Sequence, residues 1–331
     1  MLFAIGQLIA GAALLLIGGE GVVRGASRLA MLAKLSPLFI GLTVVSLGTS
    51  APEMAVSVST AMKGQADITI GNVVGSNLFN MLMIVGVSAA CLPLPVEKQI
   101  TRFDVPVMLG ATVLMWVLGL SGSLSRIDSV IFLTCLLVYF IVSFRLGKQK
   151  GSSAVDDELR DLTNSISQES TTLGLIRGLI INMLILIAGI AALILGCEWF
   201  VAASVYFARI FGLSEVVIGL TIVSAGTSLP ELVTSVAATL KGQRGIAIGN
   251  AVGSTTLNVL AVLGVTALAA PSGVAFDQSV LWVDAPIMIA VAAFSWLLFR
   301  TGHVIKRWEG GLLVLVYIGY IVYLLKRNNA F

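Results

Sequence analysis

Two glutamates, Glu53 and Glu231, stand inside runs of residues that are otherwise strongly apolar. Each closes a Gly-Thr-Ser-x-Pro-Glu hexapeptide, at 48–53 and 226–231. Each is followed by Gly-Asn-x-Val-Gly-Ser-x-x-x-Asn, at 71–80 and 249–258. On a helix, Ser46, Thr49 or Ser50, and Glu53 fall at steps of three and four and share one face, and Ser76 and Asn80 are four apart. The same holds for Ser224, Thr227, Ser228, Glu231, Ser254 and Asn258. Pro52 cannot donate to the carbonyl of Gly48, nor Pro230 to that of Gly226, so each helix kinks there and frees a backbone oxygen. In hydrocarbon such an oxygen must face a cavity or find another partner. Gly71 with Gly75, and Gly249 with Gly253, form small-xxx-small seams that let a neighbouring helix come close.

The product is a pocket of carboxylate, hydroxyl, amide and carbonyl oxygens, with no His or Cys nearby. That donor set suits hard cations such as Na⁺, Ca²⁺ or Mg²⁺ and disfavours copper and zinc. Two glutamates neutralise one divalent ion, and Ca²⁺, with about 6–8 oxygens in flexible geometry, ranks above the reluctantly dehydrating Mg²⁺. An intramembrane Glu costs about 2.5 kcal/mol or more on insertion scales, so a duplicated pair points to function. The remaining polar residues read as structural. Glu20 and Glu198 face the interface near span ends, and Asp104 and Asp284 are helix N-caps with a proline just inside. Cys91, Cys135 and Cys197 are small packing residues. His303 is solvated in a basic loop.

What must position these residues is a membrane. Of 331 residues, 57% are hydrophobic and 11% charged, whereas a soluble domain is about a quarter charged. Ten apolar stretches long enough to span a bilayer are expected at 2–19, 37–61, 67–92, 104–121, 127–146, 173–200, 214–239, 246–270, 280–299 and 308–325. Residues 40–86 and 218–264, offset by 178, agree without a gap at 26 of 47 positions, and the shared residues include Thr, Ser, Pro, Glu, Lys, Gln and Asn. The expected fold is therefore an all-α membrane protein of ten transmembrane helices in two five-helix repeats, 1–146 and 173–331. An odd number of spans inverts the second unit, and the pseudo-two-fold axis brings the two motifs together near the midplane. The segment 147–172 reads as an acidic linker too short to fold alone. With loops assigned alternately to the two sides, 15 Lys and Arg lie on one face and 5 on the other. The positive-inside rule then puts both termini outside the cytoplasm and the 147–172 loop within it. The first span lacks a charged n-region and reads as a retained helix.

The paired GTSxPE and GNxxGSxxxN motifs, each inside a five-span unit, resemble the alpha repeats of the calcium/cation antiporter superfamily, in particular its prokaryotic sodium/calcium exchangers. The resemblance covers essentially the whole chain. It implies a cell-membrane antiporter that exchanges Na⁺ for Ca²⁺ by alternating access, with the first and sixth spans sliding as gates and the ions competing for one central site. Carried over, Glu53 and Glu231 are the shared Ca²⁺ carboxylates, and Thr49 and Thr227 contribute oxygens. Ser50, Ser76, Ser224, Ser228 and Ser254 are Na⁺ ligands, and Asn80 and Asn258 are pore-facing amides. The notable departure is Asn258, where some exchangers carry aspartate. The nearest competitor is a cation/proton antiporter of the same fold, whose members usually have Gly-Asn-x-x-Glu in place of GTSxPE. A cation channel would use the same oxygens without coupling, and a hydrolase lacks a base near its serines. No phosphate loop for ATP is present. No cofactor, nucleic acid or obligatory protein partner is expected beyond the bilayer and the transported ions.

Overall fold

The computed structural model describes residues 1–64, 66–166, 172–212, 224–271, 273–275 and 280–327, and most of these are helical. In chain order the helices are α1 (Leu2–Leu32), α2 (Pro37–Thr49), α3 (Ala51–Met62), α4 (Ile68–Cys91), α5 (Ile100–Gly119), α6 (Arg126–Lys148), α7 (Ile176–Ile210), α8 (Leu229–Leu240), α9 (Arg244–Ala269), α10 (Val280–Arg300) and α11 (Arg307–Arg327). Among the described residues, eight are long and apolar enough to cross a membrane, and α2 with α3, bent by 45° at Ser50, makes a ninth. Of the stretch expected at 214–239, the described part is the turn Ser224–Gly226 and α8, while 213–223 lies outside the described residues. Helical backbone continues from α6 to Ile166 and resumes at Thr172, so most of the segment read as a linker is helical. Residues 167–171 lie outside the described residues.

Two boundaries read from hydropathy fall short. Helix α1 runs to Leu32 rather than 19, and α7 to Ile210 rather than 200. In the extension of α1, Glu20 and Arg24 occupy the exposed face, while Val22, Val23, Ala26, Leu29 and Ala30 bury the other. A charge on one face lowers mean hydropathy without ending the helix.

Helices α1 and α7 lie backbone to backbone. A Cβ on Gly11 would come within 2.9 Å of the Gly196 carbonyl oxygen, one on Gly18 within 2.8 Å of that of Gly189, and one on Gly25 within 3.0 Å of that of Asn182. The contacts recur every seven residues, ascending α1 and descending α7, as two antiparallel helices require. This pair, with parts of α2, α8 and α9, forms one apolar core. A second core is built mainly from α4, α5, α9 and α10.

Contacts at the helix ends come in reciprocal pairs. Strand β1 (Leu94–Pro95) pairs with β4 (Val304–Ile305), and β2 (Ser123–Leu124) with β3 (Val274–Ala275). The loops after α4 and α10 thus share one face, and those after α5 and α9 share another. The Trp116 indole N–H donates to the Leu281 carbonyl (3.0 Å), and that of Trp296, 180 residues on, to the Thr101 carbonyl (2.8 Å).

Asp104 and Asp284 do not cap helices as expected. Each ends a π-helical turn, 100–104 or 280–284, has helical backbone angles, and makes no side-chain cap. The helices begin earlier than the prolines suggest, so the free first-turn amides lie elsewhere. Tyr139 instead donates to Asp104 (3.4 Å), while Arg327 grips Asp284 through both terminal nitrogens (3.0 and 2.9 Å).

Candidate cation-binding site

The proline of each motif ends one helix and begins another. Ser50 precedes the first residue of α3, and Pro52 and Glu53 sit in its first turn, where the missing N–H leaves no bond unmade. Ser228, Pro230 and Glu231 repeat the arrangement at α8. The expected kink is thus a full break. One of the two oxygens expected to be freed is taken, since the Cys197 thiol of α7 donates to the Gly226 carbonyl (2.8 Å). Both glutamates lie at helix N-termini, where exposed amides and the helix dipole favour negative charge.

Ser-x-x-Glu is the spacing of a local capping box, yet neither serine caps its own helix. Each hydroxyl is diverted across to the other motif. Ser50 Oγ donates to Glu231 Oε1 (2.8 Å) and Ser228 Oγ to Glu53 Oε1 (2.9 Å). The two half-helices are thereby joined carboxylate to serine in both directions, and both glutamates are fully buried.

Two asparagines brace this arrangement. Asn250 Nδ2 donates to the Glu231 carbonyl (3.2 Å) and to Ser235 Oγ (2.9 Å), while its Oδ1 accepts from Thr49 (3.1 Å). Asn72 does the same for Glu53 (3.3 Å) and Ser57 (3.0 Å) and accepts from Thr227 (3.5 Å). Thr49 and Thr227 thus reach the braces, and each also lies within hydrogen-bonding range of a carboxylate, Glu231 and Glu53 respectively. The copies are not equivalent: Asn250 is fully buried, whereas Asn72 is partly exposed. The glycine seams differ likewise. A Cβ on Gly249 or Gly253 would strike the α2 backbone within 2.8 Å, while one on Gly71 would meet nothing among the described residues. The segment that corresponds to α2 in the other repeat, 215–227, lies largely outside the described residues.

Both asparagines at the far end of the motif lie in π-helical turns, 79–84 and 258–263, a distortion common at functional sites. Asn258 Nδ2 donates to Asn77 Oδ1 (3.1 Å), which turns its own oxygen away from that bond. Asn77 is matched in the second repeat by Thr255, whose hydroxyl bonds back to Ala251 (2.8 Å), and Asn80 has no such holder among the described residues. Ser254 reaches Glu231 Oε1 at 3.5 Å. Glu53 Oε2, Glu231 Oε2, Ser76 Oγ, Asn80 Oδ1 and Asn258 Oδ1 are buried without a hydrogen-bond partner among the described residues. Buried polar atoms are normally paired, and these oxygens, two of them carboxylate, fit a hard cation.

Ser46 is placed differently from its expectation. Its hydroxyl donates to the Gly41 carbonyl (2.6 Å) and faces the Asn250 carbonyl of α9 (3.1 Å), so it seals a helix contact and does not meet a glutamate. The Ser224 side chain lies outside the described residues. Asn72, Asn250, Ser57 and Ser235 were missed as site residues. All four are polar identities of the 178-residue repeat, which was the signal for them.

The sodium/calcium exchanger protein family matches this chain over residues 3–145 and 181–326. The chain belongs to that family. It is 33% identical to the sodium/calcium exchanger MaX1 of Methanosarcina acetivorans, over 96% of this chain and 97% of that one. It is also 33% identical to the inner membrane protein YrbG of Escherichia coli, over 98% and 96% of the two chains. Among solved structures, the sodium-calcium exchanger NCX_Mj superposes with a TM-score of 0.81 at 27% identity, covering 98% of this chain and 99% of that one. Membership makes this a multi-pass membrane transporter and fits the oxygen donors gathered around the two glutamates.

Proposed function

We propose that this chain exchanges Na⁺ for Ca²⁺ across a cell membrane by alternating access, the two ions competing for oxygens of Glu53 and Glu231. The observation that carries the reading is the reciprocal Ser50–Glu231 and Ser228–Glu53 pairing, which leaves one oxygen of each carboxylate buried and unpartnered. Ca²⁺ uses both carboxylates. Na⁺ uses one carboxylate with neighbouring hydroxyl and amide oxygens from Ser50, Ser76, Ser228, Ser254, Asn80 and Asn258. Because both ions need the same glutamates, neither binds fully while the other is present, and coupling follows. Thr49 and Thr227 contribute oxygens beside the glutamates and also fix Asn250 and Asn72.

In this reading the chain is two inverted five-helix units, and the broken helices meet at the pseudo-two-fold axis. The tightly packed α1–α7 pair moves as one body against the rest. The face bearing most Lys and Arg is cytoplasmic, together with 147–172, and both termini lie outside. The similarity to the sodium/calcium exchanger MaX1 and to NCX_Mj supports Na⁺ coupling over H⁺ coupling.

The test is ⁴⁵Ca²⁺ uptake into proteoliposomes loaded with Na⁺, against vesicles with only a pH gradient, for the parent protein, Glu53→Gln and Glu231→Gln. The expected result is uptake that requires internal Na⁺ and is lost in both variants. Uptake driven by the pH gradient alone would reassign the coupling ion to H⁺. Na⁺-driven uptake surviving either substitution would displace the site.

A further inference from the structure

At the end of α10 and the start of α5 lies a cavity of about 410 Å³ lined by Thr101, Arg102, Trp296, Arg300 and His303. It opens beside the β1–β4 pair, on the face that carries most of the Lys and Arg. The indole N–H of Trp296 is spent on the Thr101 carbonyl, and the Arg300 guanidinium lies 5.4 Å over the Trp296 ring. No carboxylate lies within ion-pair distance of Arg102 or Arg300 among the described residues. The nearest acid in sequence, Asp104, is buried and accepts from Tyr139 (3.4 Å).

The opposite face holds the same scaffold without the charge. At the 180-residue offset, Thr101, Arg102, Trp296 and Arg300 correspond to Leu281, Trp282, Trp116 and Leu120. The indole-to-carbonyl bond is kept there, but Trp282 packs edge-on against Trp116, with ring centroids 6.3 Å apart. At that offset Gly122 corresponds to Gly302, which has φ +72, and His303 to Ser123. Gly122 has φ +91, and His303 adopts φ +53, a region that side chains with a Cβ avoid. A left-handed histidine stands where the other repeat has Ser123 in a strand, and such backbone strain tends to persist at ligand-binding positions. The positive-inside rule accounts for the sign of these residues. It does not account for two guanidinium groups and an imidazole converging on one cavity beside a strained backbone.

We propose that this cavity binds a phosphate group, held by the forked donors of Arg102 and Arg300 with His303 closing the loop side. Its volume lies within the roughly 300–1,000 Å³ of ligand pockets. Its place at helix ends, with a tryptophan in its wall, is that of an anionic phospholipid headgroup. Free phosphate offers the same chemistry. The site is separate from the glutamates and does not depend on which ions are exchanged.

The experiment is native mass spectrometry of the full-length protein in detergent, titrated with phosphatidylglycerol, phosphatidylcholine or inorganic phosphate. The variants are Arg102→Gln with Arg300→Gln, His303→Gly, and Lys306→Gln with Arg307→Gln as the control on the same face. The expected result is preferential retention of phosphatidylglycerol, weakened about tenfold or more by the arginine pair, as loss of charged hydrogen bonds requires, and unchanged in the control. His303→Gly, which relieves the backbone, is expected to weaken retention with folding intact. Inorganic phosphate bound with the same arginine dependence, without lipid retention, would assign the pocket to a soluble phosphate. Equal affinity for the two lipids, or equal loss in the control, would reduce the cavity to diffuse surface charge and overturn the proposal.

Discussion

Asn72 and Asn250 are the same residue in the two copies of the motif, so sequence alone predicts that replacing either has the same effect. The structure predicts otherwise. Asn250 is fully buried and makes three hydrogen bonds of 2.9–3.2 Å, to Glu231, Ser235 and Thr49. Its replacement by alanine removes three bonds of about 1 kcal/mol each and strands partners that water cannot reach, for a loss of about 3 kcal/mol. Asn72 makes the matching bonds at 3.0–3.5 Å from a partly exposed position. Water can replace much of what Asn72→Ala removes, leaving a loss of about 1 kcal/mol. The gap of about 2 kcal/mol corresponds to roughly 30-fold in the folded-to-unfolded ratio. Equilibrium unfolding in mixed micelles of increasing denaturing detergent measures it. The Ca²⁺ concentration for half-maximal uptake reports whether Glu231 has also lost its placement. Equal destabilisation by the two variants, or a larger effect from Asn72→Ala, would refute the assignment of Asn250 as the stronger brace.

Three further outcomes are expected. Gly18→Leu inserts a side chain where a Cβ alone would stand 2.8 Å from the α7 backbone, so it should destabilise the protein by about 1–3 kcal/mol and abolish uptake, whereas Gly6→Leu, with open space around it, should do neither. Asn77→Ala removes the holder of the Asn258 amide (3.1 Å). It should raise the Ca²⁺ concentration for half-maximal uptake severalfold, an effect of about 1 kcal/mol, while Thr255→Ala, whose hydroxyl bonds within its own helix, should leave it unchanged. Lys241 pairs with Glu20 at 2.7 Å, but the matching pair 178 residues apart, Lys63 with Glu198, is not formed among the described residues. Both groups of the formed pair are substantially exposed, so Lys241→Gln should leave stability nearly unchanged, and Lys63→Gln should change nothing measurable by the same unfolding assay.

Composition, spacing and the internal repeat are enough to establish the membrane class, the two motifs and the paired carboxylates within them. A glutamate, a helix-breaking proline and a duplicated run of polar residues in an apolar chain are improbable unless each does something, and each of those signals is local. Asn72, Asn250, Ser57 and Ser235 were equally visible as repeated polar residues, but their role was not, because their partners lie on other helices or an adjacent half-helix. The assembled fold is what turns Ser50 and Ser228 to the opposite glutamate rather than to their own helix ends. Only it decided that Ser46 faces α9, that Asp104 and Asp284 bond to tyrosine and arginine rather than to helix ends, and that Asn250 is sealed while Asn72 is not. The physical reason is that side-chain spacing fixes which residues share a helical face. Which partner that face meets, and how much water remains there, is set by packing between segments far apart in the chain.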